Sequence, residues 1–549
     1  MKTIKNKIQL RLLSSLSKVF ADEKLSDTEI TSGSVLRNEV YSFQLAFHSN
    51  ELVPDVQVVV KSPLDRFIEI RSVGLAPGEL PYISKDAGMI RDTPGLYPDP
   101  LYSLGEYGIT LFPHQWRAIW VTVRIPQRFK TGNFKIKLSL VRENKTLAKT
   151  QFSLNVLKAV SPAQTLIQTQ WFHSDCIATH YAIPVLSESW WNWVALYLKN
   201  AVDHGINMIL TPIFTPPLDT RVGGERPTVQ LVQVQKRGAQ YQFDFSALKR
   251  WFDLGKEVGV EFFEISHLFT QWGAGFAPKI IVREKGTEIK KFGWHTPAMG
   301  KEYRNFLSQF LPQLVLFIHQ EGLSRQIYFH ISDEPTSKHL EAYRQASLFL
   351  KKYLSEFPVI DALSDFEFYR SGLVNKPIPS NDHIEPYVKA KVKGLWTYYC
   401  VAQWKKVPNR FFNMPSTRNR VMGVLLYKYQ IEGFLHWGFN FWYSQFSRYP
   451  INPFYNTDAG NRFPSGDSFL VYPGEKAPID SIRHEVHREG LQDLRALQLL
   501  EKTIGRDQVV QLLEKDLKKP LSMEYYPLEI SWLLDLRKRI NQKINEIHR

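Results

Sequence analysis

The hydrophobic period changes at Ser161-Pro162, and that change divides the chain into two folds of different construction. From about residue 30 to 160, apolar residues alternate with polar ones. Phe43, Leu45 and Phe47 alternate with Gln44 and His48, and Phe134, Ile136, Leu138 and Leu140 with Lys135, Lys137 and Ser139; Phe152, Leu154 and Val156 repeat the pattern. A period of two turns one strand face inward, and the turn Thr131-Gly132-Asn133 between two runs favours a hairpin. Residues 1–160 are therefore expected to form an antiparallel β-sandwich. The loop PGLYPDPL at 94–101 is too rich in proline to join that sheet by the usual rule for central strands.

Downstream, apolar runs of strand length are separated by helical patterns. The strand candidates are 166–171, 207–212, 261–267, 326–331, 359–363, 376–384, 395–400 and 433–442, and helices are expected at 188–204, 246–258, 300–320 and 337–357. Gly205, Gly259, Gly322, Gly394 and Gly433 each precede the next strand, where a helix is commonly closed. Eight repeats over 161–480 match the rhythm of a (β/α)8 TIM-type barrel, the sixth being weakest because Pro377 and Pro379 fall inside it. A doubly wound sheet would call for a G-x-G-x-x-G loop, which is absent from the sequence. Residues 279–294 read as a hairpin on the loop after the third strand. The C-terminal segment 481–549 is helical, with Ile530, Leu533, Ile540, Ile544 and Ile547 at helical spacing for packing.

Composition narrows the class. With 44% apolar and 22% charged residues, and no uninterrupted apolar run long enough to cross a bilayer, the sequence reads as a globular protein with no membrane partner. Lysines run through Lys7, and the leucines that follow are broken by Arg11, Ser14, Ser15 and Lys18; without a continuous apolar signal core, a cytoplasmic location is expected. Cys176 and Cys400 are too few for a disulfide framework or a thiolate metal site. The net charge of +15 is spread over strands and helices, as at Arg537, Lys538 and Arg539, with no nucleic-acid module, so no nucleic-acid partner is expected. Nothing in the sequence sets the oligomeric state.

The strongest chemical signal is the segment YFHISDEP, where an apolar strand runs into Asp333 and Glu334 before Pro335. At the C-terminal end of a barrel strand, two adjacent acids cannot ionise independently, which leaves one proton available for general acid catalysis. The same acids could instead cap the next helix. Other strand ends carry Trp171, His173 and Asp175; His267, Gln271 and Trp272; Trp396, Tyr398 and Tyr399; and His436, Trp437, Asn440 and Trp442. Aromatic rings beside amide, imidazole and phenol groups suit a saccharide, and aromatic residues make up 13% of the chain. His173, Asp175 and His267 lack the spacing of a metal shell, so no metal and no cofactor is expected. A serine nucleophile has no G-x-S-x-G elbow to carry it.

Together with FHISDEP, the run EISHLFTQWGAGFAP at 264–278, the strand LWTYYC, the block GDSFLVYPG at 466–474 and the later SIR and GLQD motifs resemble glycoside hydrolase family 123 and its relatives. The likeness extends from PGLYPDPL to Asp493. It implies a sandwich followed by a barrel, and exo-acting, retaining β-N-acetylgalactosaminidase activity in which the substrate's 2-acetamido oxygen is the nucleophile. Carried onto this chain, Asp333 orients the acetamido group and Glu334 protonates the leaving oxygen and then activates water. Trp171, His173, His267, Gln271, Trp272, Tyr398, Tyr399, Trp437 and Asn440 are the candidate substrate contacts, with a glycan or small glycoside as partner. Two alternatives stay open: a glycosidase pairing Glu334 with Asp361, Asp365 or Asp467, and a glycan-binding protein without catalysis.

Overall fold

The structure, a computed structural model, describes residues 8–86 and 88–547; the basic stretch through Lys7 lies outside them. Two five-stranded sheets build the N-terminal sandwich. One runs in the order Gln9–Ser14, Glu39–His48, Trp116–Ile125, Ile68–Gly78, Gly95–Ser103, the other Ser32–Arg37, Lys145–Val160, Gly132–Arg142, Val53–Lys61, Ile109–Leu111. The alternating residues meet between them: Phe43, Leu45, Ile136, Leu138, Leu140, Phe152 and Leu154 are fully buried, and Phe43 stacks on Phe152 with ring centroids 4.2 Å apart.

Three expectations for this domain are corrected. The sandwich is not wholly antiparallel, because Ser32–Arg37 pairs parallel to the edge of Lys145–Val160. PGLYPDPL does enter a sheet: its strand Gly95–Ser103 lies at an edge, where a proline's missing N–H interrupts no second ladder. The alternation puts Gln44 on the face opposite Phe43 and Leu45, yet it is fully buried and donates to the Ser14 and Ser17 carbonyls. Its sheet is covered on both faces. Leu13, Ala46 and Trp120 form a second cluster with Met422 and Leu425 of the helix Ser416–Lys428 and Val486 and Leu494 of the helix Ile482–Ile504.

All eight strand candidates after residue 161 form parallel strands, each shorter than its apolar run. Ile327–Phe329, Phe262–Ile265, Met208–Thr211, Ile167–Gln170, Gly433–His436 and Trp396–Tyr398 make one six-stranded sheet. Ile360–Ala362 and Lys376–Ile378 make a separate pair, which meets the larger sheet through single parallel bridges, Phe329 to Val359 and Ser380 to Tyr398. The ladder is thus not continuous around all eight, and one of the two weak seams lies beside the proline-containing sixth strand. Interior side chains Met208, Leu210, Tyr328, Trp396, Tyr398 and Leu435 form one cluster enclosed by these strands.

The expected helices are present as Glu188–Asp203, Ser246–Val258, Lys301–Gln320 and Leu340–Leu354. Gly205, Gly259, Gly322 and Gly394 take positive φ as helix closures, but Gly433 does not. It begins a strand against Trp396, whose ring would lie 2.0 Å from a Cβ there. The hairpin expected at 279–294 pairs Ile280–Glu284 with Thr287–Phe292, and it joins a second hairpin, Gln233–Arg237 with Gln240–Asp244, that the sequence pattern did not reveal. Past residue 480, Ile482–Ile504 packs on Ser416–Lys428, and the last helix, Ile530–Ile547, buries Leu533, Leu536, Ile540 and Ile544. Among the described residues, no helix is long and apolar enough to cross a membrane.

Candidate active site

Asp333 and Glu334 follow the fourth parallel strand, and backbone bonds on two sides fix them. The Trp272 N–H donates to the Asp333 carbonyl at 2.8 Å, and the Glu334 N–H donates to Ala362 O at 3.0 Å, tying the pair to the third and fifth strand ends. Glu334 is held at φ +43°, a left-handed conformation unusual for a residue with a Cβ and common where a site demands a particular side-chain direction. The acids do not cap the next helix. Thr336 opens a short turn, Ser337–His339, and the helix proper starts at Leu340.

The two half-buried carboxyls differ in their surroundings. Glu334 Oε1 accepts from the Tyr398 hydroxyl at 2.7 Å, and the Cys400 thiol lies 3.9 Å away. Among the described residues, no side chain donates to the Asp333 carboxylate. Burial, then the neighbouring Glu334, pushes Asp333 well above the ordinary range. Burial also raises Glu334, against the pull of Tyr398 and Cys400. One proton is thereby retained on the pair to higher pH. Asp219, from the loop after the second strand, faces Asp333 as a third acid, raised by burial to about 6 and accepting from the Phe446 N–H at 2.9 Å.

Below the pair, His330 lies between two carboxylates with no exposure of any of the three side chains. Its Nε2 contacts Glu264 and its Nδ1 lies 3.1 Å from Asp361. Glu264 also accepts from Thr169 Oγ1 at 2.6 Å and Trp171 Nε1 at 2.8 Å. Asp361 accepts from the Ile331 N–H at 3.0 Å and from the Tyr343 hydroxyl. Burial opposes charge on His330, but Glu264 and Asp361 outweigh it and raise the imidazole to about 9.

The structure sorts the other candidates by depth. Trp272 is 39% exposed and edge-on to Phe446 across the opening of the site. Trp437 is half-buried, its Nε1 donating to Asp467 at 3.0 Å. Tyr398 reaches Glu334, whereas Tyr399, the residue just past the strand, turns away and packs on Phe434. His173 and Asn440 serve each other: the Asn440 carbonyl accepts the His173 backbone N–H at 2.8 Å, and its amide donates to His173 O at 3.1 Å. The His173 ring donates through Nε2 to Trp437 O and accepts from Arg226 at Nδ1, a neutral tautomer consistent with its fall to about 3 through burial and Arg226. Asp175 is bound by the same Arg226 through two bonds of 2.8 and 2.7 Å. Gln271 donates to Thr220 O, and Trp171 is buried on Glu264. Trp396, His436 and Trp442 are buried in packing.

Arg226, Asp219, Arg410, His330 and Glu264 are among the residues that pattern reading missed. Arg410 donates to Gln170, to His436 and to the Gly438 carbonyl from an irregular segment, where an isolated arginine leaves no periodic signal. Asp219, an acid shortly after a strand, carried the same positional signal as Asp333. The distant carboxylates are engaged elsewhere: Asp361 with His330, Asp365 with the Glu367 N–H, and Asp467 with Trp437, burial raising it to about 7. A cavity of about 870 Å³ lies away from the acids, between the sandwich and Ile530–Ile547.

Among the described residues, two groups of side chains bring three metal-ligating atoms together: His267, His330 and Asp361, and His204, Asp480 and His484. In each the imidazoles are stacked, 4.2 Å apart and 21° from parallel in the first and 3.7 Å and 19° in the second. A shared ion must lie close to both ring planes, and planes so nearly parallel do not meet between the rings. Neither group has the convergent lone pairs of a ligand shell.

Parallel strands presenting paired acids and aromatic side chains at their C-terminal ends, after a β-sandwich, are compatible with a glycoside hydrolase. The profile of the glycoside hydrolase 123 catalytic domain matches residues 171–500, and the chain belongs to that family. The structure is similar to that of a family 123 glycoside hydrolase from Clostridium perfringens, described in connection with glycolipid glycan hydrolysis; the two are 17% identical over 98% of both chains, with a TM-score of 0.75. A Bacteroides ovatus GH5 xyloglucanase resembles it far less, with 8% identity over 84% of this chain and 98% of that one and a TM-score of 0.33. A Rhizomucor miehei family 5 mannosidase gives 12% identity over 60% of this chain and 92% of that one, also at 0.33. No curated protein sequence matches.

Proposed function

We propose that this enzyme is an exo-acting, retaining hydrolase of terminal β-linked N-acetylgalactosamine, or a related N-acetylhexosamine, working by substrate assistance. The observation that carries the reading is the asymmetry of the acid pair: Glu334 is held by Tyr398, while Asp333 has no side-chain donor and can accept one from substrate. The 2-acetamido N–H donates to Asp333, and the acetamido carbonyl oxygen attacks C1 as the bond from C1 to the leaving oxygen breaks. Glu334 gives its proton to that oxygen. In the second half, Glu334 takes a proton from water as the water opens the bicyclic oxazoline at C1, restoring the acetamide and the β configuration. Two adjacent acids suit this scheme, since they serve different atoms of one sugar and neither becomes covalently bonded. The engagement of Asp361, Asp365 and Asp467 elsewhere weighs against a distant second carboxylate. The substrate class of the Clostridium enzyme, glycans of glycolipids, is the one we carry to this chain.

We read the two parallel sheets as one (β/α)8 barrel of about 161–480, preceded by a sandwich of 1–160 and followed by a helical segment of 481–549. The test of function is a panel of aryl β-glycosides that differ only at C2 and C4. Acetamido sugars should be cleaved and a thiazoline mimic of the intermediate should inhibit strongly, because the site favours that species over the ground state. Efficient cleavage of a plain 2-hydroxy glycoside, with indifference to the thiazoline, would transfer the enzyme to the two-carboxylate class.

A further inference from the structure

His330 is unused by the reaction above, yet it is the most strongly bracketed ionisable group beneath the acid pair. It precedes Asp333 by three residues on the same strand end. Each ring nitrogen faces a buried carboxylate, Glu264 from the third strand and Asp361 from the fifth. With a carboxylate at each nitrogen, the ring satisfies both contacts only when both nitrogens carry protons. The remaining neighbours fit a cation here. His267, with neither ring nitrogen bonded, stacks on His330 at 4.2 Å as a neutral partner, burial and then His330 holding it well below its ordinary value. From the helix Leu340–Leu354, the Tyr343 hydroxyl completes Asp361. The other charged groups facing Asp333 are acids, Glu334, Asp361 and Asp219, so His330 is the nearby group that favours its ionised form.

We propose that His330 is a positioning residue: an imidazolium clamped between Glu264 and Asp361, which anchors the strand end bearing the acids and supplies a positive charge that offsets part of the repulsion Asp333 meets from Glu334. The catalytic consequence rests on the reading above, since an ionised Asp333 accepts the acetamido N–H more strongly than a protonated one. The clamp itself does not. Glu264 and Asp361 draw the third and fifth strands onto the fourth at the level where the ladder between the fourth and fifth falls to a single bridge. The clamp therefore also ties together the larger and smaller parallel sheets.

The experiment has one arm that needs no substrate and one that does. In protein labelled with ¹⁵N-histidine and ¹³C-aspartate, His330 should carry two ring N–H protons at pH 7.5 and lose one near pH 9. In His330→Gln the Asp333 carboxyl should titrate higher by about 1 pH unit or more, the usual effect of losing a nearby opposite charge. Glu264→Gln keeps the shape and removes the partner that most favours the imidazolium; it should shift Asp333 in the same direction, which covers the case in which His330→Gln fails to fold. With a cleaved aryl glycoside, the acidic limb of the kcat profile should move up by the same amount, about a tenfold loss at a pH on that limb for each unit. Tyr343→Phe loosens the network without removing its charge, so it should lower the melting temperature and leave the limb in place. A singly protonated His330 at pH 7.5, or an Asp333 titration unmoved in whichever of His330→Gln and Glu264→Gln folds, would overturn the proposal. An Asp333 that shifts in a protein cleaving no acetamido sugar would leave the clamp standing and remove the proposed function instead.

Discussion

At the residue level, little separates the two acids of the pair. Asp333 and Glu334 are neighbours in sequence and similar in burial, and what distinguishes them is the side chains at each carboxyl, the Tyr398 hydroxyl and Cys400 thiol at Glu334 and no side-chain donor at Asp333 among the described residues. Glu334→Gln keeps that bond's acceptor but has no proton to deliver. We expect turnover of poor leaving groups to fall by about 10² to 10⁴-fold and that of activated aryl glycosides by much less, since general acid help matters least there. Steady-state rates over a leaving-group series check this, and equal losses across the series would take the acid role from Glu334. The two tryptophans should also part company. Trp272 is 39% exposed, and Trp272→Ala should raise KM with little change in kcat or stability. Trp437→Ala strips the buried Asp467 of its donor, so it should destabilise the fold by roughly 1–3 kcal/mol as well, measured by urea unfolding.

Among the elements, two helices meet closely enough to override propensity. Gly423 in Ser416–Lys428 and Gly490 in Ile482–Ile504 touch backbone to backbone: a Cβ on Gly423 would lie 1.8 Å from the Gly490 carbonyl oxygen. Alanine inside a helix is ordinarily better than glycine by about 1 kcal/mol. Here the obstacle is main chain that cannot rotate away, so overpacking wins. Gly423→Ala should lower stability by about 1–3 kcal/mol net, visible as a lower melting temperature without loss of helical circular dichroism. An unchanged or raised melting temperature would show that the two helices can part. The late motifs have the same structural purpose. Asp99 of PGLYPDPL accepts from Tyr472 of GDSFLVYPG at 2.6 Å and from Arg483 of SIR at 2.8 and 2.9 Å, so segments far apart in sequence fasten the sandwich edge to the start of one helix.

At the scale of the molecule, the sandwich and the later parallel strands and helices share a core and a buried ion network. Arg71 on the sandwich binds Asp480 and Glu485 beneath the parallel strands, with Arg488 on the far side of Glu485. Burial opposes charge on both acids, but the arginines and His204 around them hold both well below the ordinary carboxylate range. Their contribution is therefore present above the unfolded-state value of about 4 and is lost as the pH falls through the depressed folded-state values. Arg71→Met leaves two acids short of a partner and should cost about 3–5 kcal/mol. Because Trp120 and Met422 belong to one cluster, the wild type should still unfold in one transition. Urea titration followed at two wavelengths tests both statements; separate transitions in the wild type would mean the domains are energetically independent.

The alternation of Phe134 to Leu140, the eight apolar runs and the acids that end the fourth of them were legible in the sequence because each is a local signal: a period, a length, a pair of charges at a boundary. What the sequence alone determined is therefore the two-part construction and the position of Asp333 and Glu334. Tertiary structure decided the rest. Gln44 is polar by type and alternates correctly, but a second domain covers its face, and coverage is not a property of the strand. His173 and Tyr398 look alike as strand-end polar residues, yet one is committed to Arg226 and Trp437 O while the other reaches Glu334. PGLYPDPL could be a strand only because the fold put it at an edge. Partners hundreds of residues apart are chosen when the chain closes on itself, and a hydrogen bond between them has no trace in the spacing of either.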